Sequence, residues 1–216
     1  MDASPRTKLV LVRHGQTDSN AAGRFQGQQD VPLNRIGRSQ ADAVAERLVR
    51  MKASRVVTSD LLRASATAET IAAASGLPVA VDARLREIDV GSWQGRTSAE
   101  VAAENPWFED ALHAGRDFRR SETGETAEEA GERVASVLGG LADAHAGETT
   151  IVVGHGLALR VGLSLFLGLG MEASFALSGL WNCSWTILEH NQRWRLLSYN
   201  NVVVGHGGQP ASASSR

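Results

Sequence analysis

The loop after the first apolar run reads Arg13-His14-Gly15-Gln16-Thr17-Asp18-Ser19-Asn20. It joins a cation, an imidazole, a glycine and small oxygen-bearing side chains, a set suited to holding an anion. Arg63 follows Ser59-Asp60 near the start of an expected helix, where free backbone N–H groups favour negative charge. The arginine guanidinium is a planar fork of donors that matches phosphate oxygens and stays charged at any working pH. Two such groups point to phosphate, and arginine dominates here: the only lysines are Lys8 and Lys52. A second histidine of the same kind stands far downstream in Gly154-His155-Gly156.

The elements that must bring these residues together are legible one by one. Short β-branched or leucine-rich runs alternate with longer amphipathic stretches, which predicts an α/β domain with a largely parallel sheet. Lys8 to Val12 reads as a buried strand, and Ile36, Val44, Leu48 and Met51 mark one face of a helix over 36–51, with a long polar loop between. Arg55 to Thr58 is the next strand. Ser59 and Asp60 are caps for a helix from Leu61 to Ser75 that Gly76 ends, and Pro78 to Val81 returns as strand. Thr97-x-x-Glu100 and Thr126-x-x-Glu129 are capping boxes that predict helix starts, the second helix running to Ala146. Thr149 to Val153 is a strand leading into Gly154-His155-Gly156 and an apolar helix over 157–167. Asn182 to Glu189 and Arg193 to Tyr199 read as a hairpin joined by His190, Asn191 and Gln192, whose outer edge suits a homodimer contact. Parallel strands with right-handed crossovers line their carboxyl-end loops along one edge, where ligands of open α/β sheets bind. Arg13-His14 ends the first strand and His155 a later one, so two histidines remote in sequence are expected to meet there.

Composition bounds the function. The chain has 216 residues, 43% hydrophobic and 21% charged, which predicts one folded domain over 1–204; residues 205–216, rich in Gly, Ser, Ala and Pro, are expected to form a flexible tail. With 22 basic and 24 acidic side chains and a net charge of -2, the chain lacks the basic excess that nucleic-acid binding demands. Cys183 is the single cysteine, so an internal disulfide and a four-cysteine zinc site are both excluded. The Leu9 to Val12 run is shorter than a signal peptide's apolar region, and no apolar stretch approaches the roughly 20 residues of a bilayer crossing. A cytoplasmic protein without a membrane partner is expected. Neither G-x-x-x-x-G-K-[ST] nor H-E-x-x-H occurs. His14, His155 and Glu87 have ligand chemistry for zinc, but the accompanying arginines oppose a cation, so neither metal nor cofactor is expected.

Four motifs then stand in order: Leu11-Val12-Arg13-His14-Gly15-Gln16-Thr17-x-x-Asn20, Ser59-Asp60-x-x-Arg63-Ala64, Leu85-Arg86-Glu87 and Gly154-His155-Gly156. From residue 9 to about residue 160 the constellation resembles the histidine phosphatase superfamily, also called phosphoglycerate mutase-like. The resemblance implies a three-layer α/β/α domain with a mostly parallel central sheet, and a metal-free enzyme in which His14 takes the phosphoryl group on nitrogen before water removes it. It also implies that Asn20 and Gln26 line the pocket. Physical chemistry fits these roles. A neutral imidazole is a competent nucleophile near pH 7. Arg13, Arg63 and a protonated His155 would hold the non-bridging oxygens, with backbone N–H groups at Gly156 and Leu157 beside them. Glu87 would protonate the leaving oxygen and then take a proton from water, against an apolar wall assigned to Trp93. Glu104, Glu109 and Asp110 are the alternative acids. Glu122, Glu125, Glu128, Glu129 and Glu132 read as a solvated face, and His113, His145, His190 and His206 as ordinary surface or core histidines.

Within the resemblance, Gly91-Ser92-Trp93-Gln94-Gly95 is similar to the phosphatase branch, which implies a phosphoric monoester hydrolase acting on a small phosphorylated metabolite. A cofactor-dependent phosphoglycerate mutase is the alternative, and a non-catalytic phospho-ligand binding module the second. Leu157 departs from the second glycine that many relatives have after His-Gly. The segment Asn105 to Arg120 is the expected lid; its Trp107, Phe108, His113, Arg116, Phe118, Arg119 and Arg120 suit a second anionic or sugar-like group on the substrate. The stretches Trp181 to Thr186 and Arg193 to Leu196 resemble a glucosyl-3-phosphoglycerate phosphatase, which makes that ester one candidate.

Overall fold

Side chains alternate across a strand, and in β1 (Thr7–Arg13) this sends Val10 and Val12 into one apolar layer and Leu9 and Leu11 into another. The structure, a computed structural model, describes residues 6–204, so the expected tail lies outside the described residues. With β2 (Arg55–Thr58), β3 (Val79–Val81), β4 (Thr149–Gly154), β5 (Trp185–Asn191) and β6 (Arg193–Asn201), β1 builds one six-stranded sheet in the order β3-β2-β4-β1-β5-β6. The first four strands of that order run parallel, whereas β5 lies antiparallel to β1 and β6 antiparallel to β5. The sheet is therefore a parallel half extended by an antiparallel hairpin.

Helices cover both faces. On one, α2 (Arg35–Leu48) and α3 (Leu62–Ser75) bury Val44, Leu48, Ala68 and Ile71 against Val10, Val56 and Ile151. On the other, α6 (Ala127–Ala144) and α7 (Gly156–Phe166) bury Val134, Leu138, Leu159 and Leu163 against Leu9, Leu11 and Val152. Each such leucine removed from water contributes about 1.5–3 kcal/mol. The α6–α7 crossing is close because Gly162 faces Val134: a Cβ there would lie 2.4 Å from a Val134 methyl carbon. Both expected capping boxes are present, Thr97 on α4 (Ser98–Glu104) and Thr126 on α6. Two short helices, α1 (Asp18–Ala21) and α5 (Phe108–His113), occupy stretches whose sequence carries no helical period. No helix among the described residues is long and apolar enough to cross a membrane.

Several boundaries differ from expectation: the strand expected from Asn182 begins at Trp185, and the helix expected to reach Ala146 ends at Ala144. The helix starting at Asn34 ends at Leu48, and Val49–Met51 tighten into a 3-10 turn. Ser59 and Asp60 do not cap α3: its cap position is Leu61, and Asp60 instead bonds the Arg86 guanidinium. His190 and Asn191 belong to β5, because the hairpin reverses at Gln192 alone, with φ 67°.

Candidate active site

Parallel pairing sets Arg13 beside Gly154, and the His14 N–H donates to the Gly154 carbonyl at 3.0 Å. The residues that follow each strand end therefore emerge side by side, with the His14 and His155 rings 5.1 Å apart. The loop after His14 is pinned from two sides. Its Gly15 N–H donates to Thr67 Oγ1 on α3 at 3.1 Å, and Gly37 lets α2 press on it, since a Cβ there would sit 2.0 Å from the Gln16 carbonyl oxygen.

The His14 ring is oriented by hydrogen bonding. Nδ1 lies 2.7 Å from the Gly15 carbonyl oxygen, which only accepts, so the proton is assigned to Nδ1 and the lone pair to Nε2. Nε2 faces Arg63 Nε at 3.3 Å. Arg63 is fully buried; its other nitrogens donate to the Gln29 and Gly27 carbonyls at 2.7 and 2.8 Å, and burial pulls its pKa down to about 10, which leaves it charged at neutral pH. Arg13 donates to the Leu180 carbonyl, and its buried Nε has no hydrogen-bond partner. Gly156 lies opposite, where a Cβ would stand 3.3 Å from that Nε. Both ring nitrogens of His155 are buried and likewise make no hydrogen bond.

Burial, reinforced by Arg63 and Arg13, holds His14 well below the ordinary histidine range. Burial does the same to His155, with Arg63, His14 and Arg13 adding repulsion. Two guanidiniums in a desolvated site therefore disfavour the charged form of His155.

Glu87 is half-buried at the same edge, reached by the loop after β3. Its carboxylate accepts N–H bonds from Ile88 at 3.0 Å and, in the first turn of α7, from Leu157 at 3.2 Å and Ala158 at 2.9 Å. The Leu157 N–H expected for phosphate is thus engaged by Glu87. Trp93 packs in an aromatic cluster with Phe25, Trp107, Phe108 and Phe118, its ring 5.4 Å from Phe108. Glu104, Glu109 and Asp110 are exposed on the outer segment, with Glu104 paired to Arg96.

The remaining expected residues separate by position. Gln26 is buried and its Oε1 accepts from Thr17 Oγ1 at 2.8 Å; the Asn20 Oδ1 accepts from the Thr17 backbone and from Asn182 Nδ2. Asn20 and Gln26 therefore stand on the His14 loop with amide groups already oriented. In the expected lid, His113, Arg116 and Arg119 are exposed, and Arg119 pairs with Glu129; Arg120 alone among these cations turns inward. Glu125 is no solvated bystander: it pairs with Arg133 at 2.8 Å and accepts from the Asp89 N–H.

Arg133, Thr67 and Asn182 were not anticipated. Arg133 on α6 donates to the Arg84, Arg86 and Glu87 carbonyls, the last at 2.8 Å, and so fixes the loop that carries Glu87. Asn182 donates to the His14 carbonyl at 3.0 Å. None has a sequence signature, because each acts through contacts made only once distant elements pack.

A family model described as histidine phosphatase superfamily (branch 1) matches residues 9–202. The chain is 37% identical over 185 residues to a protein of Yersinia pestis named "Probable phosphoglycerate mutase GpmB", covering 86% of each. Among solved structures it is similar to a mycobacterial glucosyl-3-phosphoglycerate phosphatase crystallised with VO3, at 36% identity and a TM-score of 0.81, covering 89% of this chain and 98% of that one. It is also similar to an Entamoeba histolytica phosphoserine phosphatase bound to phosphoserine, at 27% identity and a TM-score of 0.80, covering 93% of this chain and 98% of that one.

Proposed function

Because the chain belongs to the histidine phosphatase superfamily, we propose that it is a metal-independent phosphatase that hydrolyses small phosphomonoesters through a phosphohistidine on His14. One observation carries this reading: a neutral, buried His14 whose free Nε2 faces Arg63, ringed by the unpartnered donors of Arg13 and His155. Buried polar groups without partners are rare and costly, and donors converging on one nucleophilic nitrogen suit the non-bridging oxygens of a phosphoryl group.

In the first step Nε2 attacks phosphorus; the N–P bond forms as the bond to the ester oxygen breaks, and the Glu87 carboxyl gives its proton to that oxygen. In the second, water attacks phosphorus, Glu87 takes the water proton, the N–P bond breaks and inorganic phosphate leaves. Charge stays spread over three oxygens throughout, where Arg13, Arg63 and His155 supply fixed donors without reorganisation. A dianionic phosphoryl group beside His155 also provides the opposite charge that favours its protonation.

A second reading is favoured by the relative named as a phosphoglycerate mutase: the phosphohistidine returns its phosphoryl group to a substrate hydroxyl instead of water. One assay separates the two. Phosphate release from a panel of phosphorylated metabolites, with chelator present, is expected for the wild type and lost in His14→Ala. Isomerisation of a phosphoglycerate without release would replace the hydrolase reading, and neither activity would leave a binding module.

A further inference from the structure

The loop that carries Glu87 is held at three points. Arg133 fixes its backbone to α6, and the Glu87 carboxylate fixes its end to the first turn of α7, both on one face of the sheet. The third hold reaches α3, on the other face. Arg86, next to Glu87 in sequence, sends its guanidinium to Asp60, three residues ahead of Arg63. Arg86 Nε donates to Asp60 Oδ1 at 2.8 Å and to Oδ2 at 3.1 Å, and Nη2 donates to Oδ2 as well.

Residues 27–30 close the circuit. The Gly27 and Gln29 carbonyls accept from Arg63, and Asp30 Oδ1 accepts the Leu62 N–H at 2.7 Å. Between them, Gln28 Oε1 accepts from Arg86 Nη1 at 3.4 Å, and Gln28 Nε2 donates to the Glu87 carbonyl at 3.3 Å. The cation placed on the phosphate and the acid placed on the leaving oxygen are thus joined by a continuous run of hydrogen bonds. Its one charged, two-pronged link is the pair Asp60–Arg86.

The form of this pair suits alignment better than stability. Its side chains are 39% and 29% exposed, and an ion pair so open to water contributes little to folding. Yet a guanidinium that grips both oxygens of a carboxylate fixes direction as well as distance. The hydrogen bonds from Arg86 hold the Asp60 carboxyl below the usual carboxylate range, so the pair stays charged at neutral pH. Arg84 and Asp82 make a pair of the same form in the same loop, but it joins residues two apart and reaches no other element. We infer that Asp60 and Arg86 are positioning residues for the reaction: their pair sets Glu87 at a fixed offset from Arg63, and so aligns the proton donor with the phosphoryl group that Arg63 holds. The inference rests on the hydrolase reading above.

The test measures kcat and KM for glycerol 3-phosphate and p-nitrophenyl phosphate in the wild type, Arg86→Gln, Asp60→Asn, the double variant and Arg84→Gln. Small misplacements of a catalytic group are costly, so each single variant of the pair is expected to lower kcat for glycerol 3-phosphate about 10- to 100-fold, with KM within about 3-fold. The p-nitrophenyl ester, whose leaving group needs no proton, should lose less than about 3-fold. The double variant should be no slower than the slower single one, because both changes remove one interaction. Arg86→Lys should recover part of the rate, and Arg84→Gln should stay within about 2-fold of the wild type. Where Arg86→Gln does not fold, Arg86→Lys and Asp60→Asn make the same comparison. Equal losses on both esters, or an unchanged kcat, would overturn the inference and leave the pair a surface contact. Single losses that multiply in the double variant would overturn it too, since the two residues would then act separately. A wild type that releases phosphate from neither ester would overturn the hydrolase reading, and the inference with it.

Discussion

In the proposed mechanism His14 attacks phosphorus only while neutral, and its surroundings favour that state through burial first and two guanidiniums second. The same enforcement carries a stability consequence of definite sign. His14 and His155 have folded pKa values below their unfolded value of about 6.5, so below that pH the unfolded chain binds protons that the folded chain refuses. The contribution is intact above about pH 6.5 and is lost as pH falls from there toward the folded values, at up to about 1.4 kcal/mol per pH unit for each histidine. Urea unfolding between pH 7 and pH 5 should therefore show a shallower pH slope in His155→Gln than in the wild type; identical slopes would mean that His155 takes up its proton in the folded state. At this scale the sequence was informative wherever a residue belongs to a motif. Arg13, His14, Arg63, Glu87 and His155 do gather at one sheet edge. The aromatic cluster of Trp93 with Phe108 and Phe118 was not legible, because nearness in sequence does not decide which rings meet across loops.

At the scale of elements, the helix that holds the acid's loop matters as much as the acid. From α6, Arg133 binds three carbonyls of that loop, those of Arg84, Arg86 and Glu87, while Glu125 holds its guanidinium in place. Arg133→Gln should release that loop and misplace Glu87. Displacement of a catalytic group by about 1 Å costs on the order of 100-fold. The loss is expected in kcat for an alkyl phosphate, whose leaving oxygen needs the proton, and should be much smaller for p-nitrophenyl phosphate, whose leaving group does not. Comparable losses on both esters would assign Arg133 a purely structural role. The capping boxes at Thr97 and Thr126 were legible because their signal is local, four residues long and satisfied by backbone N–H groups. α1 and α5 were not legible: with four and six residues they carry too few turns for any apolar period, and packing rather than propensity makes them helical. The Gln192 turn escaped for a similar reason, since strand pairing reaches one residue before a reversal that no Asn-Gly or Asp-Gly pair announces.

For the whole molecule, the α/β class followed from alternating patterns and the meeting of His14 with His155 followed from parallel pairing, whereas the exact partner of each buried arginine depended on packing across the sheet. Arg13, Arg63, Arg120 and Arg160 concentrate positive charge at one edge of a chain whose net charge is only -2. If that edge binds phosphate as proposed, folding stability is coupled to anion binding. Inorganic phosphate at 100 times its dissociation constant should stabilise the protein by about 2.7 kcal/mol, and for a chain of this size each kcal/mol raises Tm by about 2–4 °C. Differential scanning calorimetry in phosphate against an equal ionic strength of chloride should resolve that shift, and Arg63→Gln should diminish it; no shift in the wild type would mean that the edge does not bind phosphate. The central claim, a covalent phosphoryl group on His14, is tested most directly by mixing enzyme with substrate, quenching in base to preserve the N–P bond, and measuring intact and peptide mass. The account predicts one added phosphoryl group on the peptide that contains His14, lost on acid treatment and absent from His14→Ala. Sustained phosphate release by His14→Ala, or a phosphoryl group found on a different residue, would contradict it.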